Sequence, residues 1–133
     1  MKKTIFLTSL VVALVGCQQV PTEQKQDVAV TPYAGTYEGV LPAADCPGIQ
    51  TTLFLKAQGT YSMTMSYLER NTTFEEAGNW DVKDGKLTLS SMRRPGQKRF
   101  WRFRSDGKLC KLDADQNRIT GALAEHYCLR PLQ

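Results

Sequence analysis

Four cysteines, one histidine and two closely spaced methionines are the residues of this 133-residue chain that could hold a soft metal or form a covalent bridge. The cysteines are Cys17, Cys46, Cys110 and Cys128, and the histidine is His126. A single histidine excludes a three-histidine zinc site and any triad built on imidazole. No glycine-rich phosphate loop and no HExxH motif occurs. Glu75 and Glu76 are adjacent in a segment read as a strand, so they face opposite sides and do not form an acid/base pair. What remains is binding chemistry. His126 and Cys128, at i and i+2 on one strand face, could chelate an ion. Met63 and Met65 carry thioethers suited to Cu(I), but Tyr61-x-Met63-x-Met65-x-Tyr67 is also how a strand fills a barrel interior. The basic run from Arg93 to Arg104 holds Arg93, Arg94, Lys98, Arg99, Arg102 and Arg104 without an acid. It reads as a solvated hairpin able to meet anionic head groups or an acidic partner at low salt.

The amino terminus supplies an address. Lys2 and Lys3 precede the apolar run Ile5 to Val15, which rises about 16 Å as a helix against roughly 30 Å of hydrocarbon, too short for a stable span. It reads as a signal peptide. Its ending, Leu14-Val15-Gly16-Cys17, resembles the lipobox of bacterial lipoproteins. That resemblance implies a lipidated Cys17, cleavage before it, and anchoring through two or more acyl chains. Gln18 after the cysteine favours the outer membrane by the same resemblance. Residues 1–16 are therefore read as the signal, 17–32 as a polar, flexible tether, and 33–133 as one domain. The chain has 17 Lys+Arg and 13 Asp+Glu. Removing Lys2 and Lys3 brings the two signs closer still, which gives no argument for nucleic acid as a partner.

With Cys17 acylated, three cysteines face an oxidising envelope, so one bridge and one free thiol follow. Cys110 and Cys128 flank the last hairpin and are the favoured pair, leaving Cys46 free. A turn near Gln116 would set Cys110 opposite Ala122, so the bridge needs a bulge or a long loop through Ala122 to Glu125. A bridge from Cys46 to either partner remains the alternative.

The elements that must position these residues are strands. Apolar side chains alternate at Tyr37/Gly39/Leu41, Leu53/Leu55/Ala57, Tyr61/Met63/Met65/Tyr67, Leu87/Leu89 and Trp101/Phe103. Turn residues separate them at Pro47-Gly48, Gly59, Asp84-Gly85, Pro95-Gly96, Asp106-Gly107 and Asp115 to Asn117. No twelve-residue window carries a helical stripe. The spacing predicts an all-β fold, a small antiparallel up-and-down barrel of seven or eight strands. Trp80 and Trp101 read as core residues.

The stretch Tyr37 to Leu55, containing Leu41-Pro42-Ala43-Ala44-Asp45-Cys46-Pro47-Gly48-Ile49, resembles the amino-terminal domain of the NlpE family of envelope lipoproteins. Gly59-Thr60-Tyr61, Gly78-Asn79-Trp80, Leu112-Asp113 and Tyr127-x-Leu129 extend the likeness. The resemblance implies a lipocalin-like barrel, a link to copper resistance and surface stress, and an envelope-stress sensor kinase as partner. It places a binding loop at Asp45 and Cys46. The family's CxxC has Ala43 at its first position, so any copper held by Cys46, with His126 or Met92 as a second donor, is expected to be weakly bound. Longer members carry a second domain, and its functions are not expected of these residues. A lipocalin-type carrier of a small apolar ligand and an inhibitor of a host wall-degrading enzyme are the competing readings. Whether the barrel is filled or hollow separates the carrier from the sensor.

Overall fold

The computed structural model describes residue 16 and residues 31–133, so Cys17, expected as the lipidation residue, lies outside the described residues. A single 3-10 turn, η1 (Thr31–Tyr33), leads into eight strands: β1 (Gly35–Leu41), β2 (Ile49–Leu55), β3 (Thr60–Tyr67), β4 (Thr72–Lys83), β5 (Lys86–Ser91), β6 (Lys98–Phe103), β7 (Leu109–Lys111) and β8 (Cys128–Pro131). A second 3-10 turn, η2 (Ala124–Tyr127), sits before β8. Each strand pairs with the next, and β1 pairs with β8, closing an up-and-down antiparallel barrel. The period-two pattern explains the result: side chains of one parity enter the core while their neighbours face solvent. Leu53, Leu55, Leu87, Leu89, Leu109 and Leu129 are all fully buried.

Turn chemistry sets the register. Asp84 and Gly85 form a two-residue hairpin between the paired Lys83 and Lys86, with φ of 52° and 72°. Two left-handed residues in succession match the twist of the flanking strands. Ala57, predicted as a third inward position beyond Leu55, instead lies exposed in the turn that Gly59 N–H closes on the Lys56 carbonyl at 3.0 Å. His126, predicted on a strand face with Cys128, lies on η2 with its side chain exposed. The reason is the long excursion between β7 and β8. It turns at Asp113 to Asn117 through the bridge pair Leu112 and Arg118, and it then packs outside the wall of β6 and β7.

The barrel has one packed end and one open end. At the packed end Tyr33 stacks on Phe103 with ring centres 4.4 Å apart, Tyr37 donates its hydroxyl to the Tyr33 carbonyl at 2.9 Å, and Trp80 Nε1 donates to the Lys56 carbonyl at 2.9 Å. The β1–β2, β3–β4 and β5–β6 loops surround the other end. Gly78 is required in the wall between them. A Cβ there would stand 1.9 Å from the Ser90 carbonyl oxygen and 2.9 Å from the Tyr61 ring, where only glycine fits. Gly78→Ala should therefore destabilise the protein by about 2–3 kcal/mol through forced backbone displacement, seen as a lower urea midpoint at unchanged slope.

Candidate functional site

The open end is a cup of about 430 Å³, within the range of small-molecule sites. Its apolar wall includes Ile49, Met63, Met65 and Phe74, and Trp101 is 1% exposed beneath them. The two methionines are packing residues: Met63 is buried and Met65 lies against the core. Charged residues of inward parity interrupt this wall. Arg99 on β6 pairs in register with Leu89, Trp101 with Lys111 on β7, and Met63 with Glu76 on β4.

Glu76 and Arg99 form a fork across the interior. Arg99 Nη2 lies 3.2 Å from Glu76 Oε2, Arg99 Nε donates to Oε1 at 3.3 Å, and the Tyr61 hydroxyl donates to Oε1 at 2.7 Å. Burial on its own would raise the Glu76 pKa. The hydrogen bonds from Arg99 and Tyr61, with the charges of Arg99 and Arg94, outweigh it and hold the carboxyl below its ordinary value. Tyr61 moves the other way, raised first by burial and then by its hydrogen bond to the Glu76 carboxylate. Glu76 is thus a structural carboxylate, and Glu75 beside it is exposed at the rim.

The residues singled out from sequence lie elsewhere. Asp45 and Cys46 are in the β1–β2 loop, where the Asp45 carbonyl accepts from Arg70 Nη2 at 2.8 Å and the Cys46 thiol donates to the Gly48 carbonyl at 3.2 Å. The Asp45 side chain is exposed, and Cys46 is half-buried with a free thiol. His126 lies on the outer wall with Gly39, Lys108 and Arg130 around it. Among the described residues no group of three or more His, Cys, Asp or Glu could hold a metal ion. Cys110 and Cys128 are bridged, directly opposite each other on β7 and β8, with Cα atoms 3.9 Å apart. The long excursion supplies the extra chain that this pairing required. With Cys128 in the bridge, it is not available as a thiolate partner for His126.

The basic run divides among three roles. Arg93 and Arg94 are exposed on the mouth loop, Arg99 enters the cup, and Arg104 joins Asp106 and Glu125 in a surface ion cluster that ties η2 to the β6–β7 hairpin. Glu76, Arg99 and Lys111 are charged residues of the interior that no motif marks. Strand parity finds all three, since Glu76 shares a face with Trp80, Arg99 with Trp101 and Lys111 with Leu109.

Two outcomes follow. The lowered Glu76 pKa contributes stability that is present above the ordinary carboxylate value near 4.5 and is lost as pH falls through the folded value. Thermal melting across pH 3–7 should therefore decline on the acid side, and Glu76→Gln should be less stable at pH 7 and flatter toward acid. Alkylation without reduction followed by peptide mapping should label Cys46 and leave Cys110 and Cys128 unlabelled.

Comparison with known proteins accords with this architecture. A family profile described as the NlpE N-terminal domain matches residues 37–122. The chain is 35% identical over 128 residues to lipoprotein NlpE of Escherichia coli, covering 89% of this chain and 53% of that protein, so it spans about half the relative's length. A crystal structure of a Shewanella oneidensis protein assigned as a lipoprotein superposes with a TM-score of 0.63 at 39% identity, covering 74% of this chain and 88% of that one. The crystal structure of the Cpx pathway activator NlpE from Escherichia coli superposes with a TM-score of 0.57 at 38% identity, covering 65% of this chain and 46% of that one. With the profile running from β1 into the excursion before β8, the chain belongs to the NlpE N-terminal domain family.

Proposed function

We propose that this chain is the barrel module of an NlpE-type lipoprotein, anchored in the outer membrane through Cys17, that binds or senses in the envelope-stress response and catalyses nothing. The observation that carries this reading is the family match across nearly the whole barrel wall. The lipobox at Leu14 to Cys17 and the lipoprotein relative support the anchor, and Gln18 supports the outer membrane. Because the Escherichia coli relative is a Cpx pathway activator, an envelope-stress sensor kinase is the proposed partner. The geometry suits such a contact. The tether joins at the packed end beside η1, which leaves the mouth loops, with exposed Arg93 and Arg94, at the far end for an acidic surface. The carboxylate best placed for chemistry, Glu76, is already engaged by Arg99 and Tyr61.

The residues present do not fit a tight copper site. Tight capture of Cu(I) needs converging soft ligands. Ala43 supplies none, Cys46 stands alone in its loop, and His126 is exposed on the outer wall.

Overproducing the lipidated protein should raise a kinase-dependent envelope-stress reporter several-fold, and deleting the kinase should abolish the rise. Cys17→Ser should appear in the soluble or unprocessed fraction. A variant still mature and membrane-bound, or a reporter that does not respond, would contradict the proposal.

A further inference from the structure

Two hydrogen-bond donors without acceptors lie at the cup, an ammonium on its wall and an indole N–H buried beneath it. Among the described residues, Trp101 Nε1 is the buried side-chain nitrogen or oxygen that has no partner, on a residue that lines the cup. A buried donor left unpaired costs about 1–3 kcal/mol, so such groups are normally satisfied by protein, water or ligand. Directly across in register stands Lys111, also lining the cup and half-buried, with no ion pair or hydrogen bond to its ammonium among the described residues. Arg99 lies two residues before Trp101 on the same face, and Arg93 and Arg94 stand at the rim. Four cationic side chains therefore line a cup that holds two carboxylates. One of these, Glu76, is neutralised by Arg99, and the other, Glu75, is exposed at the rim. Burial, and then the charge of Arg99, push the Lys111 ammonium below the ordinary lysine range. An anion beside it would reverse that effect.

We infer that the cup is a binding site for a small amphipathic anion, whose single carboxylate or phosphate head is held by Lys111 and Trp101 Nε1 and whose apolar body lies along Met65, Phe74 and Ile49. The head answers the two unpartnered donors. The body answers the apolar wall, which offers nothing to a free inorganic ion. The occupant differs from the purely apolar ligand of a simple carrier, because a ligand without an acceptor would leave a half-buried ammonium and a buried indole N–H unpaired, and only an anion would also balance the ammonium charge. This site is independent of the kinase partnership and stands or falls separately from it.

Calorimetric titration of the full, disulfide-bonded protein, with tryptophan emission as a second readout, tests the inference using four probes. Decanoate and decyl phosphate carry the two possible heads, decanol carries the same body with an uncharged hydroxyl in place of the anion, and inorganic phosphate is the head alone. At least one of the anionic amphiphiles should bind at least about tenfold more tightly than decanol, in line with one charge-assisted hydrogen bond. Whichever binds more tightly identifies the head, and inorganic phosphate should bind far more weakly than either. Lys111→Met, which keeps the volume and removes an unpaired charge, should cost that anion about tenfold in affinity and leave decanol unchanged. Trp101→Phe should weaken the same anion without abolishing the fold. Decanol binding as tightly as both anions would show a merely apolar cavity and overturn the assignment. So would inorganic phosphate binding as tightly as the amphiphiles, binding unaffected by Lys111→Met, or no binding by either amphiphile.

Discussion

Closure of the barrel rests on its two shortest strands, because β7 has three residues and β8 four, whereas β4 on the opposite side has twelve. Strands β1 to β4 pair through seven or eight residues at each junction. The β7–β8 and β8–β1 junctions have two registered pairs each. A ladder so short has few hydrogen bonds with which to offset the entropy of returning a chain that has wandered through sixteen residues, 112–127, since β7. The Cys110–Cys128 bridge joins the first of those pairs covalently. In the chain-entropy model a closed loop of this length is stabilised by about 3 kcal/mol. Leu129, fully buried beside it, seats β8 from within. Gly39 on β1 keeps the path clear, since a Cβ there would lie 3.1 Å from the Cys128 carbonyl oxygen.

The cup depends on this seam. Lys111 is the last residue of β7 and follows the bridged Cys110, so its place opposite Trp101 is set by the same short strand that the bridge secures. Inside, the barrel is filled at one end by aromatic and leucine side chains and left hollow at the other, where the Glu76–Arg99–Tyr61 fork spans the wall. Removing one partner of such a fork leaves a charge partly desolvated, which destabilises more than the pair itself contributes. The hollow end thus tolerates charge because each carboxylate is paired or exposed, and the cations without a partner are left facing the cavity.

Much of this was legible in the residues. Alternation at Tyr61-x-Met63-x-Met65 and Leu87-x-Leu89, with Asp84-Gly85 between β4 and β5, carries both the strands and a turn of defined hand. Cysteine parity pointed to the bridge. Two features were harder to see. The excursion between β7 and β8 has no period, so the i, i+2 spacing of His126 and Cys128 suggests a strand where the backbone of His126 is a 3-10 turn on the outer wall. Cup membership is a property of closure: Glu76, Arg99 and Lys111 come from strands far apart in sequence, and their meeting depends on register around the whole barrel. The motif that carried the family resemblance, Asp45-Cys46, proved to be a loop tied to Arg70 rather than part of the cup.

Hydrogen exchange followed by mass spectrometry, on the oxidised and the fully reduced protein under native conditions, tests most directly whether the seam governs the barrel. Local opening there should be read by amides of the two short strands and their neighbour before the rest of the sheet responds. Reduction should speed exchange in β7, β8 and the β1 edge that meets β8, while β2 to β5 stay protected. Equal exchange in the two forms, or a uniform loss of protection across all eight strands, would contradict it.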